Sequence, residues 1–293
     1  MPEASAARSS LRRVLTVAAL SFQEAYRRKV FVAALVMSGG FLLLYGLGLH
    51  FAARDILSGS SGLAEQLVSR AIAAQMLNFG LVPASFIVGL TAVFASVSSI
   101  SGELDTGVAY GVLARPIRRS ELVVGKFLGL ATMLALYDAL LVLALVGLAA
   151  WQIGSPVKNL PGAVLLFALE PVILVAIAVL GSTRLPTLAN GVLCTAAYGV
   201  AYVGGAIEQI GGLLKNATMM NLGVISSLLL PIDAMHRKAS SLLLPSGLLG
   251  LDAAGALGLG SPQLPSVWMV VYAMAYLVGA VWLAARLFTR RDL

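Results

Sequence analysis

Two carboxylates stand in stretches long and apolar enough to cross a bilayer. Asp138 falls near the middle of one such run, and Glu170 lies within the next, directly before Pro171. A carboxylate at membrane depth is costly and normally faces the interior of a helix bundle, so the two form a candidate intramembrane polar site. Its chemistry reads two ways. It is a substrate or proton site, or it is a protonated or hydrogen-bonded structural carboxyl at a helix contact. No Lys or Arg stands at similar depth in those runs to pair with them. Gln75, Asn78 and Tyr45 are candidates to share the same polar interior.

Other reactive residue types are sparse. His50 and His236, the only histidines, occur in no HExxH or other ligand spacing. They are expected at the membrane interface, and no metal site is expected. Cys194 stands alone in an apolar run, which reads as packing and excludes an intrachain disulfide. Tyr198, Tyr202, Trp151, Trp268, Tyr272 and Trp282 read as headgroup-level anchors or packing. No catalytic residue is assigned, because an intramembrane enzyme needs paired His, Glu or Asp on facing helices. A phosphate-binding GxxxxGK[ST] is also missing: the nearest stretch, residues 120–127, has Ser120 for the first Gly and Phe127 for the Ser or Thr that reaches magnesium.

The elements that must position these residues are set by composition. Of 293 residues, 59% are hydrophobic and only 11% charged, against about a quarter charged in soluble domains. A soluble globule needs a charged surface, so this surface faces lipid. Six runs approach or exceed the ~20 apolar residues a bilayer core requires: about 30–51, 77–100, 127–151, 163–181, 188–207 and 267–288. Backbone in lipid must satisfy its own hydrogen bonds, so each run is a helix. The fold class is an all-α integral membrane protein. Its six transmembrane helices are preceded by an amphipathic helix in residues 1–29 and constitute, with their loops, a transmembrane domain over residues 30–293. Residues 208–265 form an outer region. Two shorter apolar pieces there, 219–230 and 242–257, read as interfacial or re-entrant helices, with a further pair of crossings as the alternative.

Fourteen of the 20 Lys and Arg residues fall on one side of this arrangement, the side that holds both termini. The positive-inside rule puts that side in the cytoplasm. The net charge of +7 therefore orients helices and meets anionic lipid, and the scarcity of aromatic residues among the basic clusters argues against nucleic acid. The first 29 residues, polar and basic with no small-residue cleavage site after a short apolar core, are not expected to be a cleaved signal. Within residues 8–29, Leu11, Val14, Leu15, Ala18, Phe22, Ala25 and Tyr26 gather on one helical face, with Arg12, Arg13, Gln23, Glu24, Arg27 and Arg28 opposite. Such a helix lies in the headgroup plane, as an anchor or as a lever that a partner pushes.

Between the second and third runs lies the cytoplasmic stretch 101–126, SGELDTGVAYGVLARPIRRSELVVGK, with the acids Glu103, Asp105 and Glu121 among four bases. A short helix around 104–113 would end before Pro116, and Gly125 with Gly129 allows close helix packing. Read alone, it is a charged loop. Yet Glu103, Gly107, Leu113, Pro116, Arg119 and Gly125–Lys126 resemble the E…G…L…P…R…GK pattern of the ABC-2 type transporter permeases, found in that family between the second and third spans. Thr106–Gly107, where the family often reads Gly-Thr, is a small departure. The order of elements over the whole chain is similar too.

The resemblance implies a permease subunit of an ATP-binding cassette exporter in the cell's inner membrane. ATP and magnesium would be bound by a separate cytoplasmic ATPase, and no cofactor by this chain. The loop would be a coupling helix, with Glu103, Gly107, Pro116, Arg119 and Lys126 as ATPase-coupling residues, and a second permease subunit would complete the path. The competing class is a proton-coupled secondary transporter using Asp138 and Glu170, against which stands the lack of a three-span repeat. The cargo is not encoded in these features.

Overall fold

The computed structural model of the chain describes residues 2–58, 63–102, 118–154, 157–243 and 264–290. Among these there is no β-strand. The helices, in order, are α1 (Pro2–Arg27), α2 (Lys29–Ser58), α3 (Leu63–Ser96), α4 (Arg119–Ile153), α5 (Leu160–Ser182), α6 (Thr187–Leu213), α7 (Ala217–Leu229), α8 (Ile232–Leu243) and α9 (Val267–Thr289). Six of them, α2 to α6 and α9, are long and apolar enough to cross a membrane. Their outward side chains show which solvent they meet: Leu43, Leu44, Leu165, Leu188 and Trp268 are each more than 70% exposed. Apolar surface on that scale needs lipid against it. The chain is an all-α, multi-pass integral membrane protein.

Helix ends depart from the apolar runs. The third helix begins at Leu63, well before residue 77, and closes at Ser96, where the Ser96 hydroxyl donates to Ala92 O and residues 97–100 continue as turns. Likewise α4 starts at Arg119 rather than at residue 127, and α6 runs on to Leu213. Hydropathy marks where a helix touches lipid, whereas backbone bonding continues into polar sequence.

The fifth helix is the hub, packed against α3, α4, α6, α8 and α9. It is apolar on every side, the pattern of a helix surrounded by others, and Phe167, Ile173 and Leu174 are wholly buried. Asn159 caps its start by accepting the Gly162 N–H at 3.1 Å. Asn190 of α6 ties the bundle together by donating to Ala178 O at 2.8 Å and Val97 O at 3.1 Å.

After α6 the chain doubles back. Asn216 caps α7 by accepting the Thr218 and Met219 N–H groups at 3.0 and 3.3 Å. That helix descends along α6, its approach so close that a Cβ on Gly223 would stand 2.8 Å from Glu208 Cα. Leu230 and Pro231 then turn the chain by 101° into α8. The eighth helix climbs back along α5 until Leu243 O and Leu242 O accept the N–H groups of Lys158 and Asn159 at 2.9 and 3.1 Å. The hairpin therefore starts and finishes at one end of the bundle. Its arms of 13 and 12 residues are about 20 and 18 Å long at 1.5 Å per residue, too short to cross separately a core of about 30 Å.

Candidate functional site

Two polar constructions stand out. The first surrounds the foot of the charged loop. Residues Glu103, Gly107 and Pro116 lie outside the described residues, but both ends of the loop are in view. At its entry, α3 ends at Ser96 and a turn over residues 97–100 leads towards the loop. Lys126 of α4, itself buried, donates to Ser99 O, and Arg28 reaches Ala95 O at 3.2 Å and Ser98 Oγ at 2.9 Å. Two cations thus close a helix C-terminus, where positive charge is favoured.

At the loop's exit, Glu121 is buried and its carboxylate is saturated. Arg13 donates through Nε at 2.8 Å and Nη2 at 2.9 Å, Ser10 Oγ at 2.6 Å, and the Arg118 N–H at 3.2 Å. The last contact is the half of a capping box that a Glu at the third helical position supplies. The hydrogen bond to Glu121 raises the Arg13 guanidinium further above its usual range. Below this fork α1 lies directly on α4. A Cβ on Gly125 would come 2.6 Å from Val17 Cβ, and one on Gly129 2.8 Å from Ser21 Cβ. The small-residue pair expected to permit close packing does so, and its partner is α1.

This docking divides the amphipathic helix differently from its sequence pattern. The face on α4 holds Ser10, Arg13, Val17, Ser21 and Ala25, while Leu11 and Leu15 are exposed and Tyr26, mostly exposed, sets its ring beside Phe31 of α2. Arg119 is half-buried at the start of α4. Lys126 is enclosed by the bundle, with its amine on the loop's foot.

The second construction lies in the middle of the bundle, where five helices converge. Glu170 of α5 faces His236 of α8, Oε1 to Nδ1 at 3.3 Å, and the same Nδ1 stands 3.1 Å from Ser85 Oγ of α3. Tyr198 of α6 donates to Ser85 O at 2.9 Å. Asp138 of α4 lines a narrow pocket with Ser85, Val88, Gly89, Glu170, Pro171, Leu174 and Tyr198, too tight to hold a water molecule. Around the imidazole stand the rings of Phe167 and Tyr202, with centroids 5.3 and 6.0 Å away. Asp138 Oδ2, Glu170 Oε1 and His236 Nε2 make no hydrogen bond among the described residues, so the Glu170–His236 contact is one of charge proximity.

Several expectations change here. His236 is not interfacial: it is buried against Glu170 and supplies the basic partner that no Lys or Arg offers. Asp138 and Glu170 do share one polar interior. Gln75 points outward instead, and Tyr45 donates to Met76 O at 3.2 Å, away from the cluster. Tyr198 and Tyr202 pack inside the bundle, their rings 5.1 Å apart. Next to His236 in sequence, Arg237 is clamped between Asp233 Oδ2 at 2.8 Å and Glu208 Oε2 of α6 at 2.7 Å, which fastens the hairpin a second time. Asp233 and Arg237 stand at i and i+4, a pairing visible in sequence; nothing local in the sequence points to Glu208 or Glu170 as partners. Among the described residues, no group of three His, Cys, Asp or Glu is arranged to hold a metal ion.

Six helices long and apolar enough to cross a membrane, with a polar stretch between the second and third, define a multi-pass membrane protein. The family described as ABC-2 family transporter protein matches residues 12–293. The chain belongs to that family, and it is a membrane permease component of an ABC transporter, a class that works with an ABC ATPase subunit. No curated protein matched the chain closely enough to add a relative.

Proposed function

We propose that this chain is the membrane half of an ATP-driven exporter, and that a separate cytoplasmic ATPase docks on the loop 101–126. The observation that carries this reading is the fastening of the loop's foot. Lys126 and Arg28 hold the end of α3, while Arg13 and Ser10 hold the start of α4 through Glu121. A push on the loop then moves α1, α3 and α4 together instead of dissipating in a flexible linker. Mixed charge on the loop suits a specific and reversible protein interface. Glu103, Gly107, Pro116 and Arg119 are the residues proposed to meet the ATPase. Lys126 and Glu121 act as positioning residues behind them. ATP and magnesium belong to the partner, two permease subunits form the path, and the protein resides in the cytoplasmic membrane with both termini inside, as the distribution of basic residues favours.

The test has two arms. Co-purification of the chain with an ABC ATPase co-expressed from the same genome is expected, and Glu103→Lys is expected to abolish it while the protein stays folded in detergent. A cysteine introduced in place of Val108 is expected to react only with a membrane-permeant reagent in whole cells. Its labelling by an impermeant reagent from outside overturns the proposal. A second reading, proton-coupled transport without ATP through Asp138 and Glu170, draws on the Glu170–His236 contact. Uptake driven by a pH gradient in ATP-free vesicles would favour it.

A further inference from the structure

We propose that the Glu170–His236 pair is a proton-binding site, and that its one shared proton keeps the α7–α8 hairpin seated in the bundle. Besides the buried Arg237–Glu208 bridge to α6, the hairpin has two kinds of hold on the bundle. Towards its open end it is fixed by backbone bonds to Lys158 and Asn159. Close to its tip, α8 is held by the side chain of His236 on Glu170 and Ser85.

The site's surroundings explain why one proton decides its strength. Both side chains are about 95% buried, where an uncompensated charge is expensive and a paired one is tolerated. With one proton on the pair, imidazolium faces carboxylate at 3.3 Å, or both groups are neutral, and the net charge is zero either way. When that proton leaves to water, a carboxylate remains beside a neutral ring. The neighbouring elements offer no spare positive charge: α3 contributes Ser85, α4 Asp138, and α6 Tyr198 and Tyr202. On α8 itself stand Asp233, an acid, and Arg237, engaged by Asp233 and Glu208. Nor does His236 Nε2 gain a partner among the described residues. Loss of the proton therefore leaves net negative charge in the bundle, and release of the hairpin tip lets water reach it. This inference needs no ATPase, so its failure and that of the coupling reading are separable.

The experiment uses the full chain in lipid nanodiscs, with Cys194 replaced by Ala. One reporter is Leu230→Cys at the hairpin tip, 6% exposed; the reference is Leu214→Cys at its base, 67% exposed. Labelling by an uncharged maleimide is followed from about pH 6 to about pH 9, the range in which an imidazole titrates, and the ratio of the two rates removes the pH dependence of the thiol. The tip is expected to open as pH rises, approaching a tenfold increase in relative rate per pH unit while the seated pair still holds the proton that the opened pair has released, and levelling off once both have lost it. Glu170→Gln, which cannot carry the charge, and His236→Asn, which cannot hold the proton, are each expected to flatten the profile. A flat profile in the otherwise unchanged chain overturns the proposal, as does a rise that survives in either folded variant.

Discussion

Replacing Gly129 with leucine drives a side chain into the face on which α1 lies. The new Cβ would stand 2.8 Å from Ser21 Cβ and 3.0 Å from the Phe22 backbone nitrogen, whereas unstrained carbon contacts sit near 3.5–4.0 Å. Backbone cannot rotate out of the way, so α1 must shift by about 1 Å or leave. Overpacking of this kind costs about 1–3 kcal/mol. Taking about 2 kcal/mol, the undocked population of α1 rises about thirtyfold, at ~1.4 kcal/mol per decade. Val17, 8% exposed and packed at Gly125, reports the change. In a Cys194→Ala, Val17→Cys background, maleimide labelling should accelerate by that factor when Gly129 becomes Leu. Gly147→Leu on the same helix, where a Cβ meets nothing within 4 Å, should leave the rate unchanged. Equal protection of the Val17→Cys reporter in both leucine variants would refute the docking of α1 on α4.

Three further outcomes follow from the same contacts. Arg237→Met leaves the Asp233 and Glu208 carboxylates buried without their cation and should cost about 3–5 kcal/mol, seen as a lower thermal midpoint in detergent that Arg237→Lys partly restores. Glu121→Gln keeps the shape of the fork but weakens charge-assisted bonds to Arg13, whose side chain is 34% exposed. Solvent screens the pair, so the loss of stability should be small, and the larger effect should be on transport per ATP hydrolysed, measured in proteoliposomes with the ATPase. Asp138→Asn should change stability by less than about 1 kcal/mol, because no cation is paired with Asp138 among the described residues and an amide of equal shape replaces the acid. A loss of several kcal/mol in a chemical melt would mean that Asp138 holds its site together as an anion.

The membrane helices are legible because lipid imposes one requirement over about 20 consecutive residues, and no other structure answers it. Gly125 and Gly129 are legible as a close-packing pair for the same local reason. What sequence does not carry is the partner. His236 meets a carboxylate 66 positions away only because α7 and α8 fold back along α6 and α5, and that return rests on Asn216, Leu230 and Pro231 acting together. The amphipathic pattern of α1 also misleads in part. A moment divides a helix into two faces, but α1 has three environments: α4, the outward apolar side, and water. Its docked face is chosen by small size and by Arg13 and Ser10, not by hydrophobicity.

The two polar constructions are joined by rigid elements. Ser85, which touches His236, lies on the same helix as Ala95, whose carbonyl Arg28 caps. The step from Ser85 to Ala95 spans about 15 Å of continuous helix. Asp138 likewise shares α4 with Glu121 and Lys126, about 25 and 18 Å along the axis. A helix is stiff over such lengths, so tilting α3 or α4 from the loop's foot must displace Ser85 and Asp138 relative to Glu170 on α5. The pocket between them has no room for a water molecule; a shift of an ångström or two therefore either breaks the His236 contact or opens the pocket to solvent. Coupling in that sense is reciprocal. Whatever holds His236 on Glu170 also resists movement of the loop, and a docked partner that moves the loop must alter the affinity of that pair for its proton.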